Sequence, residues 1–248
     1  MKRVVTMILL LAVLSGLLGG CGLGENPDFR FKLNKDRKSY TLVEYVGDDE
    51  DVEIPKTHRD KPVTAIDGFT DNKNIETVEI PRGVQRIESH AFTGCANLES
   101  VDFPKTLSYI GDYAFRDCES LEEVVIPKGA HLGMQAFAGC SELETVQLGL
   151  DGDGDEKYEI EIWAFTECEN LTVIRIGDAY TELDRCSLAD CVNLRELYLP
   201  ATLERIGMEA LTGCESLEVI HYAGTAEQWQ RIDIHEYWMY GDVTIRTQ

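Results

Sequence analysis

Residues 80–103 read IPRGVQRIESHAFTGCANLESVDF, and residues 103–126 read FPKTLSYIGDYAFRDCESLEEVVI. In both stretches a Phe stands three residues before a Cys, and a Leu stands three residues after it. A Val follows three residues beyond that Leu. Equivalent positions are 23 residues apart. A period in the range of about 20 to 50 residues is typical of solenoids, propellers and other repeat arrays.

The same pattern recurs along most of the chain. The Cys column contains Cys95, Cys118, Cys140, Cys168, Cys191 and Cys214. Three residues before these stand Phe92, Phe115, Phe137, Phe165, Leu188 and Leu211. A degenerate first copy has Phe69 and places Asn72 in the Cys column. The chain therefore contains seven copies of one unit.

Each unit has a local pattern that predicts secondary structure. The motif L-x-x-[VIL]-x-[apolar] alternates apolar and outward positions, which predicts a strand with one buried face. The A-F-x-x-C stretch is too short for a long helix, and we expect it to form a single helical or 3₁₀ turn. A unit of this length cannot bury its own apolar face, so the copies are expected to stack.

At this point the sequence resembles a known family. The motif I-P-x-x-V-x-x-I-x-x-x-A-F-x-x-C-x-x-L-x-x-V, clearest in residues 80–101 and 126–146, is similar to the BspA-like leucine-rich repeats of bacterial surface proteins. The resemblance implies an α/β, mostly β fold, a leucine-rich-repeat solenoid of about seven repeats of 22 to 28 residues. It also implies an N-terminal β-hairpin cap and a short C-terminal helix and strand cap, in which Thr225 and Gln228 have capping-box spacing.

The first 21 residues, MKRVVTMILLLAVLSGLLGGC, indicate an export signal. Lys2 and Arg3 precede an apolar run that is short for a bilayer-spanning helix, which needs roughly 20 residues. The end of the run resembles the bacterial lipobox, which implies that Cys21 is diacylated, for example with palmitate, after cleavage. The alternatives are an ordinary secretory signal with an incidental Cys, or an uncleaved anchor. If Cys21 is lipidated in this way, we expect the protein to be anchored to the cell membrane on its extracytoplasmic side.

These observations divide the chain into five segments. They are a signal peptide at 1–20, a lipidated Cys and tether at 21–27, an N-terminal cap at 28–66, the repeats at 67–222, and a C-terminal cap at 223–248.

Composition and motifs exclude several classes of function. The formal net charge of -22 repels phosphate backbones, so nucleic-acid binding is not expected, and the only membrane contact expected is the lipid anchor. The five histidines form no H-E-x-x-H motif, and neither G-x-S-x-G nor a Gly-rich phosphate loop is present. We therefore predict a non-enzymatic protein without a cofactor, and expect a monomer.

The Cys column and one acidic insertion are the candidate sites for disulfides and metals. Neighbouring repeats lie about 4.8 Å apart, whereas disulfide Cβ atoms need roughly 3.5–4.5 Å, which favours buried thiols over disulfides between adjacent repeats. Asp151, Asp153 and Asp155 have the alternating spacing of a calcium loop. However, Glu156 stands where an EF-hand needs Gly and Ile162 where it needs Glu, which favours a solvated acidic hairpin tip.

The outward positions of the repeat strands are the candidate binding surface. In the C-terminal half these positions are more varied than a passive solvated face requires, and we expect them on the concave face of the solenoid. The predicted ligand-binding residues are Arg175, Glu196, Tyr198, Val219 and His221. The predicted function is adhesion to, or recognition of, a protein or glycan partner. The alternative is a structural envelope lipoprotein without an external ligand.

Overall fold

The computed structural model describes residues 26–150, 156–239 and 241–248. The first ten strands are β1 Phe29–Leu33, β2 Tyr40–Tyr45, β3 Asp51–Glu53, β4 Thr57–His58, β5 Lys61–Ile66, β6 Thr77–Glu79, β7 Arg86–Ile87, β8 Ser100–Asp102, β9 Tyr109–Ile110 and β10 Glu123–Ile126. The next ten are β11 His131–Leu132, β12 Thr145–Leu148, β13 Tyr158–Ile160, β14 Val173–Ile176, β15 Tyr180–Leu183, β16 Glu196–Leu199, β17 Arg205–Ile206, β18 Val219–Tyr222, β19 Asp233–Ile234 and β20 Thr244–Arg246. A four-residue helix, α1 Ala226–Trp229, lies near the C-terminus.

The strands form two faces of a solenoid. The first face is an eleven-stranded sheet with the order β1-β2-β5-β7-β9-β11-β13-β15-β17-β19, in which β4 also pairs with β5. The second face is formed by β3-β6-β8 and then by β10-β12-β14-β16-β18-β20. From β2 onward, successive turns of the chain add one parallel strand to each face. The mostly β leucine-rich-repeat solenoid predicted from the sequence is confirmed.

The N-terminal cap contains the expected β-hairpin, and the C-terminal cap contains the expected short helix and strands. Each cap adds one turn to the stack. At the N-terminus β1 pairs antiparallel with β2, which forms the hairpin. Strand β5 pairs parallel with β2, so it starts the repeat ladder and is not part of the hairpin. At the C-terminus the Thr225 hydroxyl accepts a hydrogen bond from the Gln228 N–H, and the Gln228 side chain accepts one from the Thr225 N–H. Strands β19 and β20 then complete a ninth turn.

Each repeat contains a second strand that the sequence analysis missed. These strands build the first face, and several of them, such as Arg86–Ile87 and Tyr109–Ile110, are only two residues long. They follow turns such as the one that Pro81 begins, where its carbonyl accepts a hydrogen bond from Val84. A two-residue strand has no periodicity from which it could be recognised.

The A-F-x-x-C stretch forms short hydrogen-bonded turns with bonds between residues i and i+3, which agrees with the single helical or 3₁₀ turn that we predicted. The Cys95 N–H donates to the Phe92 carbonyl within the turn, at 3.1 Å. Alternate N–H groups donate to the next repeat instead, from Phe92 to Ala114 and from Gly94 to Arg116, both at 2.7 Å. Because these donors are used between repeats, they are not available for a continuous helix.

A left-handed residue before each Cys makes this turn possible. Gly94 has a φ of 72°, and Asp117 in the next repeat has a φ of 57°. Gly adopts this conformation without a steric penalty, and Asp tolerates it better than most other residues. This explains why Gly, Asp or Glu precedes every Cys of the column.

The core is a column of stacked rings. The ring centroids of Phe69 and Phe92 are 4.8 Å apart, and those of Phe92 and Phe115 are 4.9 Å apart. The column continues through Phe137 and Phe165 at 5.1 and 5.4 Å, and every interplanar angle is 7° or less. All five rings are fully buried. Each repeat therefore covers the ring of the previous one and exposes its own to the next.

The Cys column is buried and contains free thiols, as the strand spacing predicted. All seven cysteines of the described residues are unpaired. The sequence did not reveal what the six thiols of the Cys column do. Each S–H of the column donates to the carbonyl of the Phe or Leu in the preceding repeat, as from Cys118 to Phe92 and from Cys140 to Phe115, both at 3.2 Å. Asn72 caps its own turn, because its side-chain oxygen accepts from the Asn74 N–H.

Burial of these thiols makes the fold sensitive to alkaline pH. Burial raises the pKa of Cys168 from the ordinary value of 9.0 to about 12, and it raises that of Cys140 well above 9.0. A thiol whose pKa is raised by folding contributes stability that is complete below the unfolded pKa and is lost as the pH rises toward the folded pKa.

We therefore predict that the free energy of unfolding falls between pH 9 and pH 12, and that Cys168 contributes about 1.4 kcal/mol per pH unit to this fall. Urea unfolding followed by circular dichroism measures this slope. Cys168→Ala removes one thiol, so its slope should be shallower by about that amount. Equal slopes for the parent and the Cys168→Ala variant would show that this thiol ionises as readily in the folded protein as in the unfolded chain.

Candidate functional site

Four outward side chains of the second face lie in one column. Strand β14 pairs with β16, β16 with β18, and β18 with β20. The register places Arg175 beside Tyr198, Tyr198 beside His221, and His221 beside Arg246. We call these four residues the C-terminal ladder.

Three of the four side chains of the C-terminal ladder stack on one another, namely Arg175, Tyr198 and His221. The guanidinium carbon of Arg175 lies 3.8 Å from the centroid of the Tyr198 ring, which is a cation–π contact. The rings of Tyr198 and His221 are 4.3 Å apart and 6° from parallel. Each group therefore restrains its neighbour, so the surface is ordered before any partner binds, and such preorganisation reduces the entropy lost on binding.

Glu196 holds the C-terminal ladder from one side. The Tyr198 hydroxyl donates to a Glu196 carboxylate oxygen at 2.6 Å, and His221 Nε2 lies 3.5 Å from the same oxygen. The pKa of Glu196 is lowered, first by the Tyr198 hydrogen bond and then, against some desolvation, by the charges of His221, Arg175 and Arg246. Glu196 is therefore an anion that orients Tyr198 and His221.

A groove of about 680 Å³ runs beside the C-terminal ladder, at the carboxyl ends of the strands. Its lining combines ladder residues with the loops that follow the strands. Lining residues include Asp178, Tyr198, Pro200, His221, Tyr222 and Arg246.

The structure places the five predicted binding residues on one surface. Tyr198 and His221 line the groove. Arg175 and Glu196 do not line it, but both contact Tyr198, Arg175 through a cation–π contact and Glu196 through a hydrogen bond. Val219 pairs in register with Glu196 and is half-buried. These five positions remain predictions as binding residues.

Sequence reasoning missed Arg246 because the alignment of repeats ended at Tyr222. The cap segment Thr244–Arg246 lacks the repeat motif, yet it forms a strand in register with β18. The only sequence signal was the alternation in Thr244, Ile245 and Arg246, in which a central apolar residue stands between two polar ones.

Two other predictions concern residues outside the described part of the chain. Cys21, the lipidation candidate, and Asp151, Asp153 and Asp155, the calcium candidates, lie there. Within residues 26–150, 156–239 and 241–248, no cluster of His, Cys, Asp and Glu side chains could hold a metal ion. Over the same ranges, no helix is both long enough and apolar enough to cross a bilayer.

A second ladder with the same residue types lies on the first face. Arg86 lies 3.9 Å over the Tyr109 ring, and the rings of Tyr109 and His131 are 5.5 Å apart and 11° from parallel. We call these three residues the N-terminal ladder. Here the cation is neutralised, because Arg86 Nε lies 3.0 Å from a Glu88 carboxylate oxygen. The N-terminal ladder is a natural control for the C-terminal one.

Comparison with known proteins identifies the repeats. Six copies of the BspA type leucine rich repeat region match residues 66–151 and 154–233. The chain belongs to this family. BspA-type repeats are binding modules and are typically non-enzymatic. No curated protein matches the chain.

Solved structures of bacterial proteins have the same fold. The leucine rich repeat protein of T. pallidum, TpLRR, is 27% identical, with a TM-score of 0.67 over 78% of this chain and 90% of that one. A leucine-rich repeat protein from Bacteroides ovatus is 21% identical, with a TM-score of 0.52 over 84% of this chain and 65% of that one.

Neighbouring residues of β16 should respond differently to truncation. Leu197 is fully buried, so Leu197→Ala should lower the free energy of unfolding by about 2–5 kcal/mol. Tyr198 points outward and loses mainly its stacking contacts, so Tyr198→Ala should cost about 1 kcal/mol or less. Urea unfolding measures both values, and a larger loss for Tyr198→Ala than for Leu197→Ala would contradict the assignment of inward and outward faces.

Proposed function

We propose that this chain is an extracytoplasmic, lipid-anchored binding module that recognises a protein or glycan partner through the C-terminal ladder and its groove. The observation that carries the proposal is the stacked column of Arg175, Tyr198 and His221 at the edge of a 680 Å³ groove. Arg and Tyr are enriched at binding hot spots, because they combine a large contact area with directional hydrogen bonds.

The rest of the chain is consistent with a binding role. Inward residues on the same strands, such as Leu197 and Ile220, are fully buried and hold the stack together. The outward side chains do not contribute to that core, so they can vary without loss of the fold. Solenoids commonly use such an extended face for recognition. We propose no enzymatic role and no cofactor.

The location is proposed from the sequence. The apolar run before Cys21 and the lipobox-like Leu18-Gly19-Gly20 support export and acylation of the Cys21 thiol. Two acyl chains on one Cys suffice for stable anchoring, whereas a single chain gives only reversible binding.

Loss of the Cys21 thiol should release the protein from the membrane. Cys21→Ser removes the acyl acceptor, so we expect the variant in the aqueous phase of a detergent partition, with the parent protein in the detergent phase. Ser15→Ala lies in the apolar run and is a control that should partition like the parent. Detergent partition of Cys21→Ser would rule out the lipoprotein assignment.

The recognition surface can be tested by binding the full chain to an immobilised panel of extracellular proteins and glycans. For the tightest partner, Tyr198→Ala should weaken binding by about 1–2 kcal/mol, because it removes the centre of the C-terminal ladder. Tyr109→Ala removes the matching ring of the N-terminal ladder and should leave the affinity within about twofold. If Tyr109→Ala weakens binding more than Tyr198→Ala does, recognition lies on the first face.

A further inference from the structure

The C-terminal ladder carries two guanidinium groups without a carboxylate partner. No carboxylate of a described residue lies within 4 Å of the guanidinium nitrogens of Arg175 or Arg246. Two arginines on strands of the first face do have carboxylate partners: Arg86 pairs with Glu88 at 3.0 Å, and Arg205 pairs with Glu182 at 2.6 Å. In a chain with a net charge of -22, such pairing is the expected arrangement.

The acidic groups near the groove are already engaged. Glu196 accepts the Tyr198 hydroxyl and lies beside His221, and Asp178 forms an ion pair with Lys128 at 3.1 Å. Arg175 and Arg246 act on Glu196 only at longer range, where their charges lower its pKa, so the two guanidinium groups at the ends of the C-terminal ladder have no ion-paired carboxylate among the described residues. Three strand spacings separate these ends, about 14 Å. This column is a local cationic site on an acidic protein.

The groove beside this site is not purely polar. Its walls include Leu199, Pro200, Ala201 and Tyr222, with Arg246 and His221 at one edge. An occupant that fits this lining has an apolar or CH-rich body and an anionic group. A guanidinium binds a carboxylate through two parallel hydrogen bonds, a geometry that a hydroxyl or an amide cannot reproduce.

Two classes of anion fit this chemistry less well. The field of a protein with a net charge of -22 repels the dense phosphate charge of nucleic acids. An acidic peptide carries carboxylates but no sugar ring whose CH-rich face could pack against Pro200 and Tyr222. A sugar acid carries one carboxylate on a ring whose faces are CH-rich. Its hydroxyl groups can also donate to Glu196 and Asp178 at the sides of the site.

We infer that the groove binds a carboxylate-bearing sugar of the uronic acid type, with its carboxylate on Arg246 and its ring against Pro200 and Tyr222. A second acidic residue of the same oligosaccharide then reaches Arg175 along the C-terminal ladder. The inference rests on the proposed function and names the ligand class of the same site.

Isothermal titration calorimetry of the full chain with three probes tests the inference. The probes are tetragalacturonate, its methyl ester, and a tetraglutamate peptide. We expect tetragalacturonate to bind at least about tenfold more tightly than either of the other two probes. The methyl ester keeps the rings and removes the charge, whereas the peptide keeps the charge and removes the rings.

Variants locate the binding. Arg246→Gln and Arg175→Gln should each weaken the binding of tetragalacturonate at least about tenfold. Arg86→Gln is the matched control, since Arg86 stacks on a Tyr in the same way, and it should change the affinity less than about twofold. Circular dichroism melting verifies that all three variants are folded.

The outcomes separate the inference from the proposed function. Equal affinity for the methyl ester, a preference for tetraglutamate, or no detectable binding of tetragalacturonate would each overturn the inference. Binding of the ester or the peptide that Tyr198→Ala abolishes would leave the proposed recognition surface intact. Binding of tetragalacturonate that is weakened by Arg86→Gln but not by Arg246→Gln would contradict both.

Discussion

The stacking of each repeat on the next is the interaction on which the rest of the structure depends. No repeat covers its own core: the ring of Phe92 lies between those of Phe69 and Phe115, at 4.8 and 4.9 Å. The thiol of the following repeat donates to the Phe92 carbonyl, so the polar backbone inside the turn is satisfied by a neighbour as well. A buried carbonyl without such donors would cost free energy, which gives the Cys column a role beyond filling space.

The same spacing that holds the core also builds the outer surface. Neighbouring parallel strands lie about 4.8 Å apart, which is close to the distance at which flat groups stack. Planar side chains at successive outward positions are therefore brought to stacking distance by the strand spacing alone. This occurs with Tyr198 and His221 on the second face, at 4.3 Å, and with Tyr109 and His131 on the first face, at 5.5 Å. The two ladders differ in charge, because only the first face supplies its Arg with a carboxylate partner.

Much of this architecture could be predicted from the sequence, because each repeat copies one pattern. The period, the strand at L-x-x-[VIL]-x-[apolar], the buried thiols and the column of Arg175, Tyr198 and His221 all follow from alignment of the copies. The first face could not be predicted, since strands such as Arg86–Ile87 are too short to show a period. Arg246 was missed because it lies in the C-terminal cap, where the motif is absent and only the three-dimensional register aligns it with His221. Among the described residues, Arg175 and Arg246 have no carboxylate within 4 Å, and this too depends on distances that cannot be derived from the sequence.

Inward residues of the second face hold the stack together, and we propose that outward residues at its C-terminal end recognise a partner. Amide hydrogen–deuterium exchange of the full chain, with and without tetragalacturonate, tests this claim most directly. We predict slower exchange in the loops that border the groove, at 177–178, 201–202 and 247–248, and unchanged exchange around the N-terminal ladder. Slower exchange confined to the turns around Tyr109 and His131, or to the N-terminal hairpin, would contradict it.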